Sequence, residues 1–217
     1  MKRIAAILIA LLLLTSVAYA SQPYFKLEID TPGEIFIDEI LKLNITVTDH
    51  VYGEDNPTSA IDFSVAYNPE HFEFISLTSK NGVHATVGQT VSESVYADNR
   101  VLVGMVGSEN AIVGNTDILT LNFRPKMITY KSLFTLHSAK AATATGIMIN
   151  PGVGSTEITI ANIYDVNRDG VIDILDLGLV SHNVGNDPIE YYYADINRDG
   201  IIDINDINIL MQYMLNN

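Results

Sequence analysis

From Tyr24 to Ile160 apolar residues recur at every second position, as in Phe25/Leu27/Ile29, Leu41/Leu43/Ile45/Val47, Ile61/Phe63/Val65/Tyr67, Leu102/Gly104/Val106 and Leu119/Leu121/Phe123. Successive side chains of a strand point to opposite faces, so this period predicts strands that bury one face. Pro32-Gly33, Asn68-Pro69, Asn81-Gly82 and Pro151-Gly152 mark turns between the runs, and no long amphipathic helix interrupts them. About 140 residues of short strands predict a mainly β domain, an antiparallel β-sandwich. The run from Arg100 to Gly107 departs from the rule, because both of its faces are apolar: Leu102, Gly104 and Val106 on one, Val101, Val103 and Met105 on the other. A strand with one wet face should alternate apolar with polar. With Leu102 and its companions facing inward, Val101, Val103 and Met105 are expected to form an exposed patch awaiting a partner.

Beyond Ala161 the period changes to that of helices. Leu177, Val180 and Val184 correspond to Ile207, Leu210 and Met214 thirty residues later, each set at spacing i, i+3, i+7, which predicts two helices sharing a small core. On the opposite side of the first helix lie Leu175, Leu179, His182 and Asn186, against Asn205, Ile209 and Gln212 on the second. The first outer face is the more apolar and is expected to meet a partner.

Each helix follows one copy of a repeated segment, DVNRDGVIDILD (Asp165 to Asp176) and DINRDGIIDIND (Asp195 to Asp206). Both fit the calcium-loop pattern D-x-[DN]-x-[DN]-G with a carboxylate at position 12, since Ca²⁺ is a hard cation that takes six to eight oxygens from one flexible loop. The expected ligands are Asp165, Asn167, Asp169, the Val171 carbonyl, Asp173 and Asp176 in the first loop. In the second they are Asp195, Asn197, Asp199, the Ile201 carbonyl, Asp203 and Asp206. Two Ca²⁺ ions are therefore expected. Four aspartates per loop repel one another unless a cation neutralises them. Gly170 and Gly200 occupy position 6, where the sharp turn favours positive φ.

The chain begins with Lys2 and Arg3, an apolar run from Ile4 to Leu14 and the small-x-small site Ala18-Tyr19-Ala20, the pattern of a signal peptide over 1–20. The run is too short to span a bilayer, which takes about 20 apolar residues, so a secreted, extracellular product with no transmembrane segment is expected. The net charge of −14 argues against nucleic acid and anionic membranes, and more than half of it lies after Ala161, where ten acids face two arginines. Without cysteine, an exported chain relies on core burial and metal for stability. Asn44-Ile45-Thr46 is a glycosylation sequon. No Cys nucleophile or G-x-S-x-G motif is present and the five histidines are scattered, so no catalytic residues and no enzyme are expected.

The duplicated loop-then-helix from Ile163 to Leu215 resembles the dockerin module of cellulosome-type assemblies, built from two F-hand repeats. Loop positions 10 and 11, often Ser-Thr in that family, are here Ile174 and Leu175, then Ile204 and Asn205. The segment AIDFSVAYNPEHFEFISL, with ILTLNFRPK and GVGSTEITI, resembles the cohesin signature, with Asn68 where the family usually has Asp. These resemblances imply a cohesin-like, jelly-roll-type sandwich over 21–160 and a dockerin-like module over 161–217. They also imply a non-catalytic scaffold or adaptor that takes cohesin- and dockerin-bearing partners in trans, with head-to-tail self-association open to it. The family pattern places the partner surface at Asp62, Ser92, Ser94 and Tyr96, next to Val101, Val103 and Met105. On the module the expected partner surface combines loop positions 10 and 11, Ile174, Leu175, Ile204 and Asn205, with Leu179 and His182 on the outer face of the first helix. A carbohydrate-binding sandwich anchored through its dockerin is the alternative; the absence of Trp weighs against it.

Overall fold

The structure is a computed structural model that describes residues 24–51, 57–93, 96–104, 111–186 and 191–217, and between 86 and 104 the backbone alone. The 1–20 segment, Ser94 and Met105 lie outside the described residues.

Two sheets face each other. The first contains β1 (Lys26–Asp30), β3 (Leu41–Thr48), β5 (Phe72–Ser79), β8 (Thr116–Pro125) and β11 (Gly152–Val153), in the order β11-β1-β3-β8-β5. The second contains β2 (Glu34–Phe36), β4 (Thr58–Tyr67), β6 (His84–Glu93), β7 (Tyr96–Gly104), β9 (Thr129–Thr143) and β12 (Ser155–Ala161), in the order β2-β12-β9-β4-β7-β6, with β10 (Met148–Ile149) on β9. All pairings are antiparallel except β1 with β11 and β2 with β12.

The period-two reading holds where it was clear. Leu41, Leu43, Ile45 and Val47 are fully buried on β3, as are Phe63 and Val65 on β4, whereas Ala60, Asp62 and Ala66 lie nearer the solvent. At one end of the core Tyr67, Phe72, Phe123 and Phe134 form an aromatic cluster with edge-to-face centroid distances of 4.9 to 6.3 Å. Here His71 bridges the sheets, its Nδ1 3.0 Å from Ser132 Oγ and its Nε2 3.1 Å from Asn68 Nδ2. The amide of Asn68 donates to Nε2, which leaves Nδ1 as the donor to Ser132. Ser132 is buried, and its hydroxyl faces a hydrogen-bond donor rather than a base, so the three residues tie the sheets instead of forming a hydrolase triad.

The expectation for β7 is inverted. In the β4–β7 ladder Val103 stands opposite Ile61 and Val101 opposite Phe63, whereas Leu102 stands opposite Asp62 and Gly104 opposite Ala60. Directly paired residues share a face, so register positions 101 and 103 belong to the core side. Ser92 moves with them, since it stands opposite Ala97, which stands opposite the buried Tyr67. Tyr96, an odd number of positions from Ala97, stays on the side of Asp62 and Leu102. A strand apolar on both faces carries no parity signal of its own, and only the ladder sets its sides.

After β12 only Asn162, Ile163 and Tyr164 precede Asp165, and they are tied down. Tyr164 N–H donates to Asn162 Oδ1 at 3.1 Å, and the Tyr164 ring stacks on Tyr213 at 3.9 Å. The C-terminal module comprises α1 (Ile174–Asn183), a 3-10 turn (Tyr192–Ala194) and α2 (Ile204–Asn216) around Val166, Val180, Ala194, Ile196, Ile202 and Leu210. Leu177, Ile207 and Met214 pack against this core as their spacing predicts. Val184 does not, because α1 ends at Asn183 and Gly185 turns the chain at φ 78°, leaving Val184 42% exposed.

Half-buried His50 supplies a pH test. Its ring stacks on Phe25, Nε2 meets Thr58 Oγ1 at 3.2 Å, and Nδ1 is enclosed without a hydrogen-bond partner. Burial lowers its pKa, so the folded state favours the neutral ring. The contribution is complete above the unfolded value of about 6.5 and is lost as pH falls through the folded value. The melting temperature of the sandwich is expected to fall as the pH drops below about 6.5. That part of the fall should be absent in His50→Phe, as followed by near-ultraviolet circular dichroism.

Candidate metal loops and partner surfaces

The two loops are wound alike. In the first, Asp165 Oδ2 accepts the Gly170 N–H at 3.0 Å, Asn167 Oδ1 accepts the Asp169 N–H at 2.9 Å, and Asp169 Oδ1 accepts the Val171 N–H at 2.8 Å. In the second, Asp195, Asn197 and Asp199 make the equivalent bonds to Gly200, Asp199 and Ile201 at 3.0, 2.8 and 2.9 Å. Position 6 carries the positive φ that its glycines accept without strain, 88° at Gly170 and 87° at Gly200.

Positions 9 and 12 join each loop to its helix. Asp173 caps α1 by accepting the Leu175 N–H at 2.7 Å, while Asp176 returns the bond to the Asp173 N–H at 2.8 Å, a reciprocal capping box. Asp203 and Asp206 repeat it on α2 at the same distances. The second oxygen of each terminal aspartate reaches back across the loop: Asp176 accepts from Asn167, and Asp206 from both Ile196 and Asn197, at 2.9 to 3.1 Å. One carboxylate thus fixes the first turn of its helix and the ligand-bearing start of its loop.

The burial of these groups tests whether a cation fits. Asp176 and Asp206 are fully buried, Asp165 and Asp195 are 5% exposed, and Asp195 Oδ1 is enclosed with no hydrogen-bond partner. An orphaned carboxylate oxygen inside a site is costly unless a cation meets it. Among the described residues none of the loop aspartates joins an ion pair, because Arg168 and Arg198 pair with Glu34 and Glu39 of the sandwich instead. Acidic and histidine side chains alone form no cluster of three among the described residues. A full oxygen set in each loop therefore draws on the asparagine at position 3 and the carbonyl at position 7, which suits a hard divalent cation such as Ca²⁺.

The surfaces read from the sequence separate into two groups. Ile174 is 66% exposed, Leu175 59% and Ile204 60%, and Asn205 and His182 are also exposed, so loop positions 10 and 11 face outward in both repeats. Leu179 does not join them: with Ile209 it packs against the module core. On the sandwich Asp62 lines a shallow depression with Ser64, Ser138, Ala139 and Lys140 on β4 and β9.

Sequence reasoning passed over four residues that organise the module. Tyr191 OH donates to the Val166 carbonyl at 2.8 Å, tying the linker between the repeats to the first loop, and burial pushes its phenol pKa upward. Arg168, Arg198 and Phe36 meet between the module and the sandwich. The only signal for the arginines was their status as the sole cations of an acidic module, at equivalent loop positions.

The terminal aspartates give a direct test. Replacing Asp206 by Ala leaves the Ile196, Asn197 and Asp203 N–H groups unpaired, at about 1–3 kcal/mol for each one left buried. Helicity of the module in the full chain, followed by far-ultraviolet circular dichroism, is expected to fall for Asp206→Ala and to remain for the exposed control Asn208→Ala.

Residues 163–215 match the dockerin type I domain family. No curated protein is similar in sequence to the chain. Among solved structures the sandwich is similar to the cohesin module of a family 33 glycoside hydrolase from Clostridium perfringens, at 19% identity and a TM-score of 0.57 over 65% of this chain and 99% of that one. It is similar to a Clostridium thermocellum cohesin solved in a type I cohesin–dockerin complex, at 15% identity and 0.52 over 63% and 99%. The sixth cohesin of scaffoldin B from Acetivibrio cellulolyticus, solved with a dockerin, gives 17% identity and 0.51 over the same shares. The chain thus joins a sandwich with the cohesin fold to a dockerin domain at 163–215.

Proposed function

We propose that the protein is a non-catalytic scaffold or adaptor that links exported proteins through calcium-dependent cohesin–dockerin recognition. The observation that carries this reading is the fusion of a cohesin-fold sandwich and a dockerin domain, the two halves of one recognition system, in a single chain. On this reading 1–20 is a signal peptide removed on export, 21–160 the cohesin-like domain and 161–217 the dockerin-like module, and the protein works outside the cell. Among the described residues no helix is long and apolar enough to cross a membrane. Each loop takes one Ca²⁺ through Asp165, Asn167, Asp169, Val171, Asp173 and Asp176, or through Asp195, Asn197, Asp199, Ile201, Asp203 and Asp206. Calcium neutralises carboxylates that the fold buries, so its binding free energy contributes to folding.

The chain's own topology favours partners in trans. The module leaves from β12 and contacts β2, at one edge of the second sheet, whereas β7 and β6 lie at the other edge. Three linker residues reach at most about 11 Å, so the module cannot cover that side of its own sandwich. Heterologous contacts of this kind permit head-to-tail association between copies. The partner surface of the sandwich is Asp62 and Tyr96 with Leu102, and that of the module is Ile174, Leu175, His182, Ile204 and Asn205. The carbohydrate-binding alternative is the weaker reading: Tyr130, an exposed aromatic of the sandwich, has its hydroxyl engaged with the Arg168 carbonyl, and the chain has no Trp.

The test is binding of the full chain to a separate cohesin and to a separate dockerin, measured by calorimetry with and without chelator. Calcium-dependent binding through the module supports the proposal, and no binding to any member of either family overturns it. In the same assay Leu102→Asp should weaken dockerin binding at least about thirtyfold, the scale of a central hot-spot loss, while leaving the melt of the sandwich nearly unchanged. Val103→Asp, on the core side of the ladder, should instead collapse that melt.

A further inference from the structure

The fourth position of each loop is an arginine held in the left-handed region, at φ 64° for Arg168 and 59° for Arg198. A non-glycine residue rarely adopts this conformation, and here it turns the side chain out of the loop, away from the carboxylates. Both side chains land on the same short piece of the sandwich. Arg168 Nη2 meets Glu34 Oε1 at 2.6 Å, and Arg198 pairs with Glu39. The two guanidinium carbons stand 5.3 and 4.1 Å from the centroid of the Phe36 ring, so each half of the duplicated module contributes one cation to one aromatic. Arg168 also lies 4.1 Å from the ring of Tyr193, with Nε and Nη1 enclosed and without hydrogen-bond partners.

The receiving side is prearranged. Phe36 is 7% exposed yet belongs to neither the sandwich core nor the module core. A turn fixes its neighbours, since the Glu39 N–H donates to the Phe36 carbonyl at 3.0 Å and Glu39 Oε2 accepts the Phe36 N–H at 3.2 Å. At the other side of the first loop Tyr130 OH donates to the Arg168 carbonyl at 3.3 Å. A half-buried arginine that pairs with Glu34 while lying against two rings, and an aromatic outside both cores that meets a cation from each repeat, are features of a built contact rather than of two modules that happen to touch.

We propose that Glu34, Phe36 and Glu39 form an intramolecular latch that grips the dockerin domain through Arg168 and Arg198 only when both loops are wound around calcium. This rests on the calcium reading of the loops. Each arginine lies between the expected ligands at positions 3 and 5, so the winding of the loop sets where its side chain points. An unwound loop withdraws its cation from Phe36, and the ring is then held from one side or not at all. Calcium thus fixes the orientation of the dockerin domain on its own sandwich, and the shared ring couples the two sites.

The experiment uses the full chain in calcium and after chelation, with maximum dimension from small-angle X-ray scattering, helicity from circular dichroism and calcium uptake from calorimetry. The wild type is expected to lengthen on chelation. In calcium, Phe36→Ala and the double variant Arg168→Gln/Arg198→Gln should keep wild-type helicity and calcium stoichiometry but show the longer dimension. Phe36→Ala should also weaken calcium binding about fivefold or more, the reciprocal of the coupling. Unchanged dimensions in both variants, or a wild type that stays compact after calcium is removed, overturn the latch. Absence of calcium uptake by the wild type overturns instead the reading of the loops on which it rests.

Discussion

The C-terminal module is governed by the burial of four carboxylates, Asp165, Asp176, Asp195 and Asp206, beside an apolar core of six buried residues. So small a core offsets little of the entropy of ordering more than fifty residues. The carboxylates supply what the core lacks, each terminal aspartate binding backbone N–H groups of both its loop and its helix. The same arrangement concentrates negative charge where water cannot screen it. Such a module is stable to the extent that something positive enters it, and both of its own cations face outward.

The sandwich has the opposite economy. Five fully buried phenylalanines and the aliphatic residues of β1, β3, β4 and β8 give it a core built from apolar side chains. Its second sheet presents different chemistry at its two edges. The β2 edge carries Glu34 and Glu39, which engage the module's arginines, and the other edge is formed by β6 and β7. The chain therefore holds its own module at the edge of the sheet opposite to β6 and β7.

Local features were legible in the sequence and relational ones were not. The loops could be read because every expected ligand lies within twelve residues of its partners and the pattern occurs twice. Strands such as Leu41–Thr48 could be read because alternation reports directly on burial. The inversion of Val101, Val103 and Ser92 arose where alternation is silent, since the sides of β7 are set by pairing with β4, which no single strand encodes. Val184 differs in kind: helical spacing runs on to it, but Gly185 marks the end of the helix just before it can reach the core. The meeting of Arg168 and Arg198 with Phe36 joins positions more than a hundred residues apart, beyond the reach of any periodicity.

The position of β12 bears on how the molecule carries load. This strand lies inside the sheet, paired with β9 on one side and parallel to β2 on the other, and it runs almost directly into the module. A pull on the module is therefore directed along β12. Tension that follows the axis of β12 loads its two ladders in shear rather than unzipping one bond by bond, and forced unfolding is governed by the unfolding rate. A load that enters through the module therefore reaches the sandwich by a strand held on both sides, where several backbone hydrogen bonds share it at once.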